Sequence, residues 1–216
     1  MAAVGDHLAD HGTDLLLLPE KACSDWLPAE HPADPARWAG SVRDHREWID
    51  RLADYGVAVV VGTRPTVEAT GSRRNEAFIW TEGTGEPVAI RQKYYLPDEP
   101  GYWEHSWYDR GPRRFGTARV GDALLGVQLC TEMWFLVWAR HYAAEPIEIL
   151  ASPRATPRAT SDKWIAGGRL AAVCAGAYSI SSNLWYPETT SSADLGGVGW
   201  IIDPEGEVLA TTSEER

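Results

Sequence analysis

Ala123-Leu124-Leu125-Gly126-Val127-Gln128-Leu129-Cys130-Thr131-Glu132-Met133-Trp134-Phe135 is a largely apolar run closed by a polar break and followed by a helix-like segment. That order predicts a strand delivering one residue, Cys130, to a sharp turn at the mouth of a sheet. The N-terminus of the expected helix, with its unpaired N–H groups and positive dipole end, favours thiolate over thiol there. Two other ionisable residues hold comparable places. Leu15-Leu16-Leu17-Leu18-Pro19 ends in Glu20, and Val88-Ala89-Ile90-Arg91-Gln92 ends in Lys93. Taken singly, the thiol reads as a small buried hydrophobe and the two charges as solvated strand ends. Together, a carboxylate, an ammonium and a thiol at three strand ends predict one site.

Working outward, further strands are expected at Val57–Gly62, Asn75–Trp80, Ile147–Ala151, Ala177–Ser182 and Gly199–Asp203. Helices are expected at Ser41–Tyr55, with Ser41 as N-cap and Trp48, Leu52 and Tyr55 at helical spacing, and at Trp134–Ala144 and Asp162–Ala175. Strands alternating with helices make an α/β protein. Thr81-Glu82-Gly83-Thr84-Gly85-Glu86 and Asp203-Pro204-Glu205-Gly206-Glu207 read as hairpin turns, so the sheets are mixed. Proline-rich Pro28–Pro35, Pro97–Pro100 and Pro153–Pro157 predict ordered loops over the strand ends.

At 216 residues the chain is long enough for one sizeable core. A formal charge of −11 argues against nucleic acid as a partner, because phosphate binding needs a basic face. No apolar stretch approaches the ~20 residues that span a bilayer, and the N-terminus lacks a basic-then-apolar secretory pattern. Three cysteines, Cys23, Cys130 and Cys174, read as free thiols of a cytoplasmic protein. Eleven tryptophans are many for one core. Trp26, Trp103, Trp107 and Trp134 flank the candidate site and could wall a water-poor pocket, or fill a core and a subunit interface.

The segments resemble the nitrilase superfamily of carbon–nitrogen hydrolases. The Asp14–Glu20 run looks like the segment carrying that family's catalytic glutamate, and Arg91-Gln92-Lys93-Tyr94-Tyr95-Leu96-Pro97 like its catalytic lysine segment. Gly126-Val127-Gln128-Leu129-Cys130-Thr131-Glu132 looks like its nucleophile segment. Arg74-Asn75-Glu76-Ala77, Ser182-Asn183 and Gly197–Gly206 resemble the intervening and later strands, in the family's order. Leu96–Glu104 is similar to the loop after the lysine in N-carbamoylputrescine amidase-like members, which puts Glu104 at the second active-site glutamate. The chain departs from the pattern at Thr131, Glu132 and Leu136-Val137.

The resemblance implies an α-β-β-α sandwich of two mixed sheets with outer helices, one domain over residues 1–216. Family members begin with a core strand before the glutamate and continue past Arg216, so a chain clipped at both ends, and a poor catalyst as it stands, is expected. The implied chemistry is hydrolysis of a non-peptide C–N bond through a Cys130 thioester. Glu20 is the general base, Lys93 and the Thr131 N–H stabilise the oxyanion, and Glu104 holds Lys93 or the substrate. Trp103, Glu132 and Trp134 are expected near substrate, with Glu132 alternatively a helix-N-terminal carboxylate. No cofactor or metal is implied. The substrate is a small amide, carbamoyl compound or nitrile, and a homodimer or larger homo-oligomer is expected, with no nucleic-acid or membrane partner. The competing class is an inactive homologue with a binding or assembly role. His7 and His11, four residues apart, lack the glutamate of a metalloprotease helix, and neither His105 nor His141 lies in a motif that places it beside Cys130.

Overall fold

The computed structural model describes Leu8, residues 12–186 and residues 194–212. In chain order the regular elements are β1 (Leu15–Leu17), α1 (Pro35–Ile49), β2 (Val59–Val67), β3 (Arg73–Thr81), β4 (Val88–Gln92) and α2 (Glu104–Trp107). Then come β5 (Thr117–Val120), β6 (Ala123–Val127), α3 (Leu136–Ala144), β7 (Ile149–Arg154), α4 (Ser161–Ala175), β8 (Tyr178–Asn183), β9 (Trp200–Ile202) and β10 (Val208–Thr211). Four strands form one sheet in the order β1-β2-β3-β4, and six form the other in the order β10-β9-β8-β7-β6-β5. The pairs β1–β2, β6–β7 and β7–β8 are parallel and the rest antiparallel. Both sheets are therefore mixed.

The alternation of side chains along each strand builds the layers. Val59 and Val61 of β2 and Ala77 and Ile79 of β3 meet Leu125, Val127, Leu129 and Ala151 of the other sheet in the central core. The intervening Val60, Phe78 and Trp80 face outward onto Ile49 of α1 and Leu52 beyond it. On the far side, Ala139 and Tyr142 of α3 and Ala171, Ala172 and Ala175 of α4 cover Leu150, Trp200 and Ile202. Helix, sheet, sheet and helix stack in that order, as expected.

Two expected boundaries are corrected. Helix α1 starts well before Ser41, because the Asp34 carboxylate accepts from the N–H groups of Ala36 (2.7 Å) and Arg37 (3.1 Å), with Pro35 in the first turn. Ser41 is buried on the helix face against the sheet, beside Trp38, His45 and Ile49. After Cys130 the chain forms a 3₁₀ turn, Cys130–Trp134, before α3 begins. Strands β5 and β10 escaped the sequence pattern because their residues are half-buried or exposed and carry little alternation. The ribbon β2–β3 is longer than its apolar pattern, pairing from Val59↔Thr81 to Val67↔Arg73, so backbone pairing carries it past the core.

Trp26, Trp38, Trp80, Trp107, Trp164 and Trp200 are all buried within this one chain. The tryptophan content therefore does not by itself call for a subunit interface. Among the described residues no helix is long and apolar enough to cross a membrane.

Candidate active site

Three loops leave their strands at the same end of the sandwich. Past β1, the N–H of Leu18 still bonds Val61 O (2.8 Å), and the N–H of Glu20 then bonds Arg154 O at the end of β7 (3.2 Å). That second bond ties the glutamate turn to the opposite sheet. Past β4, the Lys93 N–H reaches Asn75 O (2.8 Å), and the Gly111 N–H reaches Lys93 O (2.8 Å). A Cβ on Gly111 would lie 2.5 Å from Gln92 Cβ and 2.9 Å from its backbone, so only glycine lets this loop lie against the lysine turn. Past β6, Cys130 takes φ 49°, a left-handed conformation rare outside glycine that turns the thiol out of the strand direction.

These turns bring Glu20, Lys93, Glu104 and Cys130 together, all buried. The Lys93 ammonium donates to Glu20 Oε1 (2.8 Å) and to Glu104 Oε1 (2.6 Å). Asn75 Nδ2 donates to the same Glu20 oxygen (2.8 Å). The remaining oxygens, Glu20 Oε2 and Glu104 Oε2, have no hydrogen-bond partner among the described residues. Burial would lower Lys93, but Glu104 and Glu20 outweigh it and hold the amine charged well above the usual lysine range. Burial raises Glu104 to about 7 against the opposing pull of Lys93. Burial, then the charge of Glu20, pushes the Cys130 thiol up to about 12, with Lys93 opposing. The expected thiolate is thus corrected. A 3₁₀ turn supplies little dipole, and desolvation beside a carboxylate outweighs it.

Cys130 opens into a cavity of about 280 Å³ whose walls include Pro97, Tyr102, Thr131, Trp134, Ala155 and Trp164, with Glu99 and Lys163 also lining it. A larger cavity of about 710 Å³ along β1 and α1 contains none of the four clustered residues, so size does not mark the site. Thr131 and Trp134 thus line the space beside the thiol. Trp103 does not; its ring lies 5.2 Å from that of His31, and Tyr102 takes the wall position. Glu132 is not at the wall either. It is fully buried, paired with Arg91, and accepts from the N–H groups of Leu129 (2.9 Å), Tyr94 (2.8 Å) and Tyr95 (3.4 Å). It fastens the Cys130 turn to the Lys93 turn. Trp26 and Trp107 spend their indole N–H groups on Gly101 O (3.0 Å) and Glu30 O (2.8 Å) in side clusters.

Several residues of this region carry no strong sequence signal. Asn75 stands in a strand and was marked only by resemblance. Arg154 is buried 4.1 Å over the Trp200 ring and donates to Ser181 Oγ (2.7 Å) and Thr156 Oγ1 (2.9 Å), without a carboxylate partner among the described residues. Its position at the end of β7, before Ala155-Thr156-Pro157, was the available clue. Among the described residues, the groups coupled to the Cys130 charge include Glu20, Lys93, Glu104, Arg154 and Tyr102, and no histidine is among these. His7 and His11 lie outside the described residues. Among the described residues no three His, Cys, Asp or Glu side chains group as metal ligands would.

Comparison with known proteins adds a consistent background. The family described as "Carbon-nitrogen hydrolase" matches residues 2–216. A glutamine-dependent NAD(+) synthetase of Rhodobacter capsulatus is 26% identical over 204 residues, covering 91% of this chain and 35% of that protein. An N-carbamoylputrescine amidase of Solanum tuberosum is 23% identical over 173 residues, covering 74% of this chain and 57% of that protein. The chain thus spans between about a third and three fifths of the length of these curated relatives. Among solved structures, a carbon-nitrogen hydrolase of Helicobacter pylori G27 superposes with a TM-score of 0.83 at 20% identity, over 100% of this chain and 79% of that one. A mutant amidase of Nesterenkonia sp. AN1, showing covalent addition of the acetamide moiety of fluoroacetamide at the active site cysteine, superposes with a TM-score of 0.82 at 22% identity, over 99% and 78%.

Proposed function

The chain belongs to the carbon-nitrogen hydrolase family, and from that premise we propose that it hydrolyses a small linear amide or N-carbamoyl amine through a thioester on Cys130. The observation that carries this reading is the buried Lys93 ammonium clamped between Glu20 and Glu104 next to a left-handed cysteine that opens into a cavity. A buried ion cluster with two unpartnered carboxylate oxygens is costly to keep, and it makes sense as acid–base machinery.

In this reading the thiol, not a resting thiolate, meets the substrate. Glu20 takes its proton as sulfur attacks the amide carbon, so nucleophile and charge develop together. The oxyanion forms between the Lys93 ammonium and the Thr131 N–H, which are fixed before the reaction starts. The C–N bond then breaks as Glu20 returns the proton to the departing nitrogen. Water, deprotonated by Glu20, attacks the thioester, and the acid leaves with the thiol restored. Glu104 holds Lys93 throughout. Tyr102, Trp134 and Trp164 flank the reacting carbon and limit the substrate to a small, slender molecule. A nitrile would pass through the same thioester.

The test is intact-protein mass spectrometry after incubation with a panel of aliphatic amides, glutamine, N-carbamoyl amines and nitriles. A substrate-sized adduct on Cys130, absent from Cys130→Ala, supports the reading. Turnover that survives in Cys130→Ala or Cys130→Ser would overturn it. We place the enzyme in the cytoplasm, where Cys23, Cys130 and Cys174 remain free thiols. We also propose self-association through the outer helices, where Val137, Leu170 and Val173 are exposed at 59%, 48% and 53%. Sedimentation that finds only a monomer at micromolar concentration contradicts that assembly.

A further inference from the structure

Beside this ion cluster lies one buried side chain for which the proposed mechanism has no use. Lys21 follows Glu20 directly and is 1% exposed. It and Cys130 are the non-glycine residues with positive φ among those described. Its φ of 56° is secured by the backbone N–H, which donates to Thr63 Oγ1 (2.7 Å). A left-handed lysine is an uncommon conformation to hold, and here it turns the side chain into the protein instead of toward solvent. The amine lies 4.9 Å over the ring of Tyr108, whose backbone N–H donates to Glu104 O (2.9 Å), and has no hydrogen-bond partner among the described residues. Tyr108 OH and Glu104 Oε2 are likewise buried and unpartnered, as is His45 Nε2 on α1.

An amine buried without a counter-ion should be expelled or replaced by an apolar residue unless a charge nearby gives it a role. Among the described residues the two carboxylates, Glu20 and Glu104, share one contacting cation, Lys93. With both ionised and Lys21 neutral, the cluster carries a net negative charge inside the protein. One more proton, on Lys21 or on Glu104, balances it. We propose that Lys21 is a positioning residue of this cluster, whose buried amine governs whether Glu104 is ionised and hence how firmly Glu104 holds Lys93 toward the substrate. The groups bearing on Lys21 are Glu20 on its own turn, Glu104 of α2, Lys93 past β4 and Glu76 of β3. Lys21 in turn bears on Cys23 of its own turn and on His45 of α1. Burial lowers Lys21 well below the lysine range while Glu20 and Glu104 pull the other way, and the charge of Lys21 lowers Glu104 in return. Each group thus titrates according to the state of the other.

This role rests on Glu20, Lys93 and Cys130 being the catalytic set, but its test does not require turnover. The carboxyl band of Glu104, assigned by its loss in Glu104→Gln, is followed by infrared spectroscopy across pH in the wild-type chain and in Lys21→Met. Methionine keeps the length and removes the charge. The expected result is a Glu104 midpoint raised by about one pH unit or more in Lys21→Met, with a melting temperature equal to or above wild type. An unmoved midpoint overturns the proposal. Should Lys21→Met fail to fold, the reciprocal measurement decides. The ¹⁵N-detected titration of the Lys21 amine must fall to lower pH in Glu104→Gln, and an unchanged one overturns the proposal. With an amide that the enzyme turns over, the acid limb of kcat/KM should move up with the Glu104 midpoint in Lys21→Met and return in Lys21→Arg. A moved midpoint with no turnover of any amide leaves the charge linkage standing and refutes the hydrolase reading instead.

Discussion

Two buried ion clusters sit two residues apart on the same strand end, and they are built on opposite principles. Arg91 forks onto Glu132, whose oxygens also take three backbone N–H groups, and neither side chain keeps an unpartnered polar atom. Lys93 sits between Glu20 and Glu104, each of which keeps one oxygen unpartnered. The first cluster is satisfied and holds two turns in place. The second is left incomplete beside a cavity, where a proton or substrate can complete it. Full satisfaction is what a structural ion pair needs, and the shortfall is what the proposed acid–base role would use.

The largest effect should come from breaking the incomplete cluster. Glu20→Gln keeps the bond from Asn75 and the shape of the site but removes the proposed base, so turnover should fall by about 10²–10⁴ with the melting temperature little changed. A retained rate would show that Glu20 is as structural as Glu132.

Breaking the satisfied cluster should do the reverse. Glu132→Leu leaves Arg91 buried and unpaired, which typically costs about 3–5 kcal/mol in denaturant unfolding. The double variant Arg91→Met with Glu132→Leu should recover part of that loss, because no unpaired charge remains. If Glu132→Leu instead unfolds like wild type, the cluster holds nothing together.

A third effect follows from His45, which lies close enough to the reactive cluster to feel Lys21. Burial, then the charge of Lys21, depresses its imidazole to about 3, against about 6.5 when unfolded. The unfolded chain therefore binds the extra proton between those values. The contribution is fully present above pH ~6.5 and is lost as pH falls toward 3, on the order of 5 kcal/mol in all. His45→Asn should flatten stability against pH across that window, measured by urea unfolding at a series of pH values, and an equally steep curve in the variant would refute the assignment.

The smallest effect is expected from the other thiols. Cys23, pushed up to about 12 by burial, and the half-buried Cys174 lie outside both clusters. Cys23→Ser and Cys174→Ser should leave turnover within about twofold of wild type in a steady-state assay, far below the 10²–10⁴ of losing the base.

Much of this was legible in the chain itself. The apolar runs Val59–Val61, Phe78–Trp80 and Ala123–Val127 mark buried strands, and the runs of β1, β4 and β6 lead to Glu20, Lys93 and Cys130. The start of α1 lies earlier than the sequence suggests because Ser41 looks like a cap, while Asp34 sits within a proline-rich stretch that masks it. The exposed strand β10 carries no pattern to read. Trp103 and Tyr102 are neighbours in sequence and equally plausible as cavity wall; only the turn of the loop puts Tyr102 there.

By itself, then, the sequence determined an α/β chain with mixed sheets and three ionisable residues at strand ends, because apolar runs and strand-end position are local properties of a chain, while the layering was what the family resemblance implies. Only the tertiary structure decided that burial beside Glu20 pushes the Cys130 thiol up, that Glu132 is a clasp between two turns, and that Lys21 lies buried without a hydrogen-bond partner among the described residues. Those outcomes depend on desolvation and on charges supplied by segments far apart in sequence, and such sums exist only once the chain is folded.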